Sequence, residues 1–158
     1  FNVAGSDGSQ RIGQRTPDAT HLIKVACQAA LGLRDSMSIF GTDYSTPDGT
    51  GVRDYIHVDD LSSSHLAALE YLRDNDSNVF NCGYGRGYSV REVINTVKKV
   101  TGIDFKVFEH GRRAGDSAKV VADNSKILNM TGWRPRFADL EYICGTAFEW
   151  EKKMSMGL

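Results

Sequence analysis

The sequence predicts a mixed α/β (α+β) fold, on three observations. Short β-branched or aromatic runs alternate with longer segments whose apolar residues recur at three-and-four spacing. Gly, Asp and Pro clusters separate them and act as turn signals. One helical segment carries its own start and stop signals, a Ser89/Glu92 capping box and Gly102 at its end.

The elements follow in order. FNVAG reads as the end of a buried strand, and residues 5–18 as a polar, Gly-rich loop. From Thr20 a helix is predicted, with Leu22, Ile23, Val25, Ala26, Ala29 and Ala30 on its apolar side and Gly32 at its end. Residues 37–40 (MSIF) form a strand, residues 41–51 a loop, and residues 52–58 (VRDYIHV) one alternating strand. A helix over 59–74 is expected, capped by an aspartate, with Leu61, His65, Leu69 and Leu72 on one face. Residues 78–83 and 104–110 are predicted strands, flanking a helix with a Val90, Val93, Ile94, Val97, Val100 stripe. Residues 110–116 (HGRRAGD) are a loop and AKVVAD a short strand. Asp123 caps a short helix, GWRPR is a turn, and a last helix covers about 138–153.

Composition bounds the function. At 158 residues the chain suits one domain or a large part of one. A net charge of −1 gives no global attraction to nucleic acid or an anionic membrane, so any anion site must be local. No apolar run approaches the ~20 residues of a membrane span. Cys27, Cys82 and Cys144 are far apart and form no CxxC, which argues against zinc or a disulfide framework and fits a reducing cytoplasm. The chain opens on FNVAG without an initiating Met, and a fragment of a longer protein is expected.

Two arginine-bearing loops carry the chemical interest. Arg53 sits where a glycine loop becomes a strand, and Arg112 and Arg113 precede an Ala-Gly pair and Asp116. Guanidinium groups take phosphate oxygens in a forked geometry, and a carboxylate accepts hydrogen bonds from sugar hydroxyls. A solvated charge cluster and an ion-paired strand arginine are the plainer readings of the same residues. GYGRGY (83–88) lies between a strand and a helix, but Tyr88 stands where a dinucleotide fingerprint needs its third glycine, so a turn is expected. His57 and His65 read as packing or hydrogen-bonded residues. No metal spacing, activated nucleophile or acid–base pair is evident, so no catalytic residue is assigned.

The runs FN, THLI, SIFGTDYSTPDGTGVRDYIHVDDL, RRAGD and VVADNSK resemble the UDP-glucose 4-epimerases (UDP-galactose 4-epimerases) of the extended short-chain dehydrogenase/reductase superfamily. The resemblance covers essentially the whole chain. It implies a C-terminal UDP-sugar-binding region, residues 1–158, with the Rossmann domain largely outside it. About 52–83 would pack against that NAD-binding domain. In the family NAD oxidises C4 of the UDP-sugar, the 4-keto sugar turns over in its pocket, and the hydride returns to the other face. The Tyr-x-x-x-Lys pair and the NAD fingerprint of the family have no counterpart here.

Residue by residue, the resemblance places Phe1 beside the nicotinamide and Asn2 on the UDP-sugar. His21 and Leu22 contact the nucleotide, His21 departing from the family's usual Asn. Ser38 and Phe40 line the uracil pocket. Arg53 clamps the diphosphate, and Arg113 with Asp116 holds phosphate and ribose or uridine hydroxyls. Val120 stands near the sugar, where a small side chain leaves hexose and N-acetylhexosamine both open. The implied parent is a cytoplasmic, NAD-dependent homodimer, and this chain alone is expected to be inactive and marginally stable or self-associated. A nucleotide-sugar dehydratase or decarboxylase of the same superfamily, or a non-catalytic nucleotide-sugar-binding module, are the competing readings.

Overall fold

The computed structural model describes residues 1–157. Chain order is β1 (Asn2–Ala4), α1 (Leu22–Ala30), β2 (Met37–Phe40), β3 (Val52–Arg53), β4 (Tyr55–His57), α2 (Val58–Tyr71), β5 (Tyr88–Ser89), α3 (Val90–Thr101), β6 (Val107–His110), β7 (Lys119–Val120), α4 (Ser125–Thr131) and α5 (Leu140–Ser155). The mixed α/β class is therefore as the sequence predicts.

Three small sheets carry the strands. β1 pairs with β4 and β2 with β6, both in parallel. β3 lies between antiparallel β5 and parallel β7. Helices α1, α3 and α5 pack on one another around the main core, which includes Ile23, Cys27, Met37, Ile39, Val93, Val97 and Ile143. Fully burying each such aliphatic side chain contributes about 1.5–3 kcal/mol. A second cluster of Ile56, Ile127 and Trp133 lies between α2 and α4.

The α3 signals work as read. Ser89 Oγ accepts the Glu92 N–H, Glu92 returns the bond to Ser89 N–H, and Gly102 ends the helix at φ 68°. The stripe follows helical periodicity, with Val93, Ile94 and Val97 buried. Loop 5–18 is pinned to α5: Ser6 Oγ donates to the Thr146 carbonyl at 2.8 Å, and Trp150 Nε1 to the Gln14 carbonyl at 3.0 Å. Lys24 of α1 pairs with Glu151 of α5 in a buried contact, which Gln28 supports from 3.1 Å. Cys27 and Cys144 are buried free thiols, and burial pushes the Cys144 thiol up to about 12, so both are packing groups.

Four expectations need correction. Residues 52–58 are two strands in two sheets, divided at Asp54. That side chain is fully buried and accepts the backbone N–H groups of Tyr84, Gly85 and Ala122 at 3.0, 3.0 and 3.2 Å. Burying this carboxylate against two loops stops the chain continuing as one ladder, and Val58 already belongs to α2. Residues 78–83 form no strand, because their backbone has no ladder partner among the described residues, and Val79 is exposed. The cap of α2 is His57, whose Nδ1 accepts the Asp59 N–H, in place of an aspartate. Asp60 instead turns inward. Its Oδ1 accepts Arg136 N–H, while Oδ2 accepts Phe137 N–H and the Tyr84 hydroxyl. The strand expected over 104–110 starts only at Val107.

The face named for α2 is also only partly inward. Leu61 packs on the second cluster, whereas Leu69 and Leu72 are exposed beside Leu66. Asp123 Oδ1 accepts the Ser125 N–H as expected of a cap, although Asn124 occupies the cap position of α4.

Candidate functional site

A cleft of about 420 Å³ opens between α1, β2 and the loops that lead into β3 and β7. Strand alternation builds its wall. Met37 and Ile39 of β2 point into the core, so Ser38 and Phe40 face the opposite way, into the cleft. The loop between β2 and β3 turns at Gly49, with φ 79°. A Cβ there would lie 2.0 Å from the Thr42 carbonyl oxygen, so glycine is required. Thr50 and Asp48 tie the loop to the start of α3: Thr50 N–H and Oγ1 donate to Asp48 Oδ1, and Asp48 Oδ2 accepts the Ser89 hydroxyl.

Asn2, His21, Leu22, Ser38, Phe40, Arg53, Arg113 and Asp116 all line this cleft. These side chains come from β1, α1, β2, β3 and the loop before β7, up to 114 positions apart (116 − 2). Phe1 and Val120 lie outside the lining. Phe1 is exposed at the start of β1, and Val120 is exposed on β7 in register with Arg53. Sequence reading missed Tyr44, Tyr55, Arg34 and Val25 among the liners. The alternation of residues 52–58 gave no hint that Tyr55 reaches the cleft.

Each cleft arginine is held. Arg53 Nη1 donates to its neighbour's carbonyl, Val52 O, at 2.9 Å, and Nη2 lies 3.6 Å from Asp116 Oδ1. The Arg113 guanidinium covers the Phe40 ring at 3.7 Å from the centroid, and His110 stacks on the same ring at 5.5 Å. Arg112, the neighbour in sequence, is elsewhere: it pairs with Asp43 and lies over the Tyr44 ring. Arg34, Arg53 and Arg113 against Asp116 alone leave a local excess of two positive charges (three minus one) in a chain of net charge −1. Asn2 uses its Nδ2 on the Asp54 carbonyl at 3.1 Å, which leaves its side-chain oxygen for a ligand. His21 Nδ1 is 2.7 Å from Gln14 Nε2. The cleft therefore combines forked cations, a carboxylate and an aromatic wall. That set suits a planar base joined to an anionic group.

GYGRGY is a closed turn. The N–H groups of Tyr84 and Gly85 are taken by Asp54, and Asn124 Nδ2 donates to the Gly83 carbonyl at 2.8 Å. Two of the N–H groups that a dinucleotide loop would offer are thereby used inside the protein, and this turn does not fit a dinucleotide cradle. No group of three or more metal-ligating side chains is found among the described residues. No helix of the described residues is long and apolar enough to cross a membrane.

Residues 1–83, just over half of the chain, match the family described as NAD dependent epimerase/dehydratase. The chain belongs to that family. Among curated epimerase/dehydratase family relatives, the UDP-glucose 4-epimerase of Azospirillum brasilense is 50% identical over 159 aligned positions, covering 100% of this chain and 46% of that protein. The UDP-Glc/GlcNAc 4-epimerase of Campylobacter jejuni is 59% identical, with a TM-score of 0.82 over 97% of this chain and 46% of the other. The UDP-glucose 4-epimerase of Bifidobacterium longum, solved in complex with NAD+ and UDP, is 34% identical. Its TM-score is 0.93 over 100% of this chain and 47% of that one. The chain spans about half the length of the curated relatives it matches.

Proposed function

We propose that this chain is the UDP-sugar-binding half of a UDP-glucose 4-epimerase that interconverts UDP-glucose and UDP-galactose. One observation carries the reading: Arg53 and Arg113, from separate loops, line one cleft with Asp116 and the Phe40 ring. Arg53 and Arg113 take the diphosphate, Phe40 and Ser38 flank the uracil, and Asp116 accepts from ribose hydroxyls. Asn2, His21 and Leu22 contact the UDP-sugar from the α1 side. Val120, exposed on β7 in register with Arg53, is the residue this reading sets toward the sugar, and its small side chain is compatible with an N-acetyl group.

NAD belongs to the other half of the whole protein, where it exchanges a hydride with the sugar. Phe1 is the one residue of this chain that the reading places against the cofactor. The exposed Leu66, Leu69 and Leu72 of α2 support this division, since the NAD-binding half would cover them within the expected contact region 52–83. Alone, the chain binds nucleotide without turning over the sugar, and light scattering would report its self-association. The whole protein is a cytoplasmic homodimer in this reading.

Calorimetric titration with UDP tests the proposal. Arg53→Ala and Arg113→Ala should each weaken binding by about 1.5–3 kcal/mol, the range of a hydrogen bond to a charged group. Unchanged affinity in both variants would reduce them to surface charges.

A further inference from the structure

His21 stands at the N-cap of α1, between the cleft and a smaller cavity bounded by β1, α1 and α5, and it lines both. Its side chain makes no capping bond to its own helix. Its Nδ1 lies instead 2.7 Å from Nε2 of Gln14. The nitrogen of a primary amide donates and does not accept. His21 Nδ1 must therefore accept, and the proton of the neutral ring stands on Nε2.

Gln14 is held by its backbone, which leaves the side-chain amide for His21. Its carbonyl accepts from Trp150 Nε1 at 3.0 Å and from Lys24 Nζ at 3.3 Å. Lys24 is fixed in turn by its buried pair with Glu151. A Cβ on Gly13 would lie 2.3 Å from Trp150 Cδ2, so the loop lies directly on the indole at this point. Gln14 borders the smaller cavity and not the cleft. The Nδ1 edge of His21 thus faces away from the cleft. Nε2 lies across the ring from that contact, and His21 is exposed, so its N–H is presented on the cleft side where a ligand reaches it.

We propose that Gln14 is a positioning residue for the cleft: it holds the His21 ring as the Nε2–H tautomer, aimed to donate a hydrogen bond to an oxygen of a bound nucleoside diphosphate. This rests on the nucleotide reading of the cleft. Phosphates, ribose and base carbonyls all offer acceptors to such a donor. A ring protonated on Nδ1 would turn a lone pair toward them instead. Gln14 acts through His21 and touches no ligand itself.

Ring-nitrogen NMR of the isotope-labelled chain tests the assignment at about pH 8.5, well above the ordinary histidine pKa of about 6.5. UDP calorimetry under the same conditions supplies the affinities. His21→Asn identifies the His21 signals and keeps a good N-cap. The wild-type chain should show His21 protonated at Nε2 alone. Gln14→Glu replaces the donor by a carboxylate, an acceptor only, and should move the proton to Nδ1. The loop keeps its anchors in this variant, because they use the Gln14 backbone carbonyl. It should bind UDP about three- to tenfold more weakly, the size of one neutral hydrogen bond. In the His21→Asn background the same substitution should cost markedly less, because only the effect of the added charge remains. Protonation of Nδ1 in the wild type overturns the assignment, as does unchanged UDP affinity in Gln14→Glu, and both leave the nucleotide reading standing. An equal loss in the two backgrounds overturns it as well, since Gln14 would then act through charge or through the loop. Failure of the wild-type chain to bind UDP removes the nucleotide reading, and the donor role with it.

Discussion

Arg53 Nη2 and Asp116 Oδ1 face each other at 3.6 Å in the cleft, though 63 positions separate them (116 − 53). The pair is half-open to solvent, so its own contribution is at most about 1 kcal/mol. Its consequence is competition, because the carboxylate offers Arg53 an alternative to phosphate. Asp116→Ala should therefore tighten inorganic diphosphate about two- to fivefold at low ionic strength, an advantage that added salt reduces. The same variant should weaken UDP, because the hydroxyl acceptor is lost. Calorimetry with both ligands checks this. Parallel changes for the two would show that Asp116 acts on Arg53 alone.

Arg113 and Phe40 form a second coupled pair, with the guanidinium 3.7 Å from the ring centroid. Phe40→Leu keeps an apolar wall and removes the ring quadrupole. In a double-mutant cycle with Arg113→Ala, UDP binding should show a coupling of about 0.5–1 kcal/mol. Arg113→Lys should recover little of the loss, since an ammonium lacks the planar fork. Strictly additive losses across the four proteins would show that the stacking does not set the arginine's position.

Asp54 holds three segments by one carboxylate, with Tyr84, Gly85 and Ala122 as its donors. Asp54→Ala would leave those N–H groups without a partner at a site that is 0% exposed. An unsatisfied buried group costs about 1–3 kcal/mol, so a loss of several kcal/mol is expected. Urea denaturation should show a chain largely unfolded in buffer, and Asp54→Asn should retain part of the stability through its remaining carbonyl oxygen. A near-wild-type midpoint for Asp54→Ala would show that water satisfies the freed groups.

What the sequence made legible was local. The Ser89/Glu92 capping box, the 37–40 strand and the 90–100 stripe need only neighbours in sequence, and all are found. Residues 52–58 alternate well enough for one strand, yet they divide because Asp54 answers to loops 30 and 68 positions away. Asp59 and Asp60 look like caps by residue type, but burial of Asp60 under Tyr84 and residues 136–137 leaves that role to His57. Eight of the residues that the resemblance names line one cleft. Tyr44 also lines the cleft, and an aromatic in a Gly/Asp/Thr/Pro loop carries no local cue to that.

His57 makes stability depend on pH. It is fully buried, its Nδ1 accepts the Asp59 N–H, and its Nε2 lies 3.3 Å from Thr146 Oγ1. Burial holds its pKa below the ordinary histidine value, against the opposing pull of Asp59 and Asp60. The native ring thus stays neutral where the unfolded ring, with a pKa of about 6.5, already takes a proton. Stability then rises with pH wherever the unfolded chain binds more protons. The contribution is fully present above about pH 6.5 and is lost as the pH falls from there through the folded pKa. His57→Asn keeps a capping side chain and removes the titration. Its urea midpoint should be flatter than that of the wild type between about pH 6.5 and 5, the region below the unfolded histidine pKa. Parallel pH profiles for the two proteins would assign the slope to carboxylates instead.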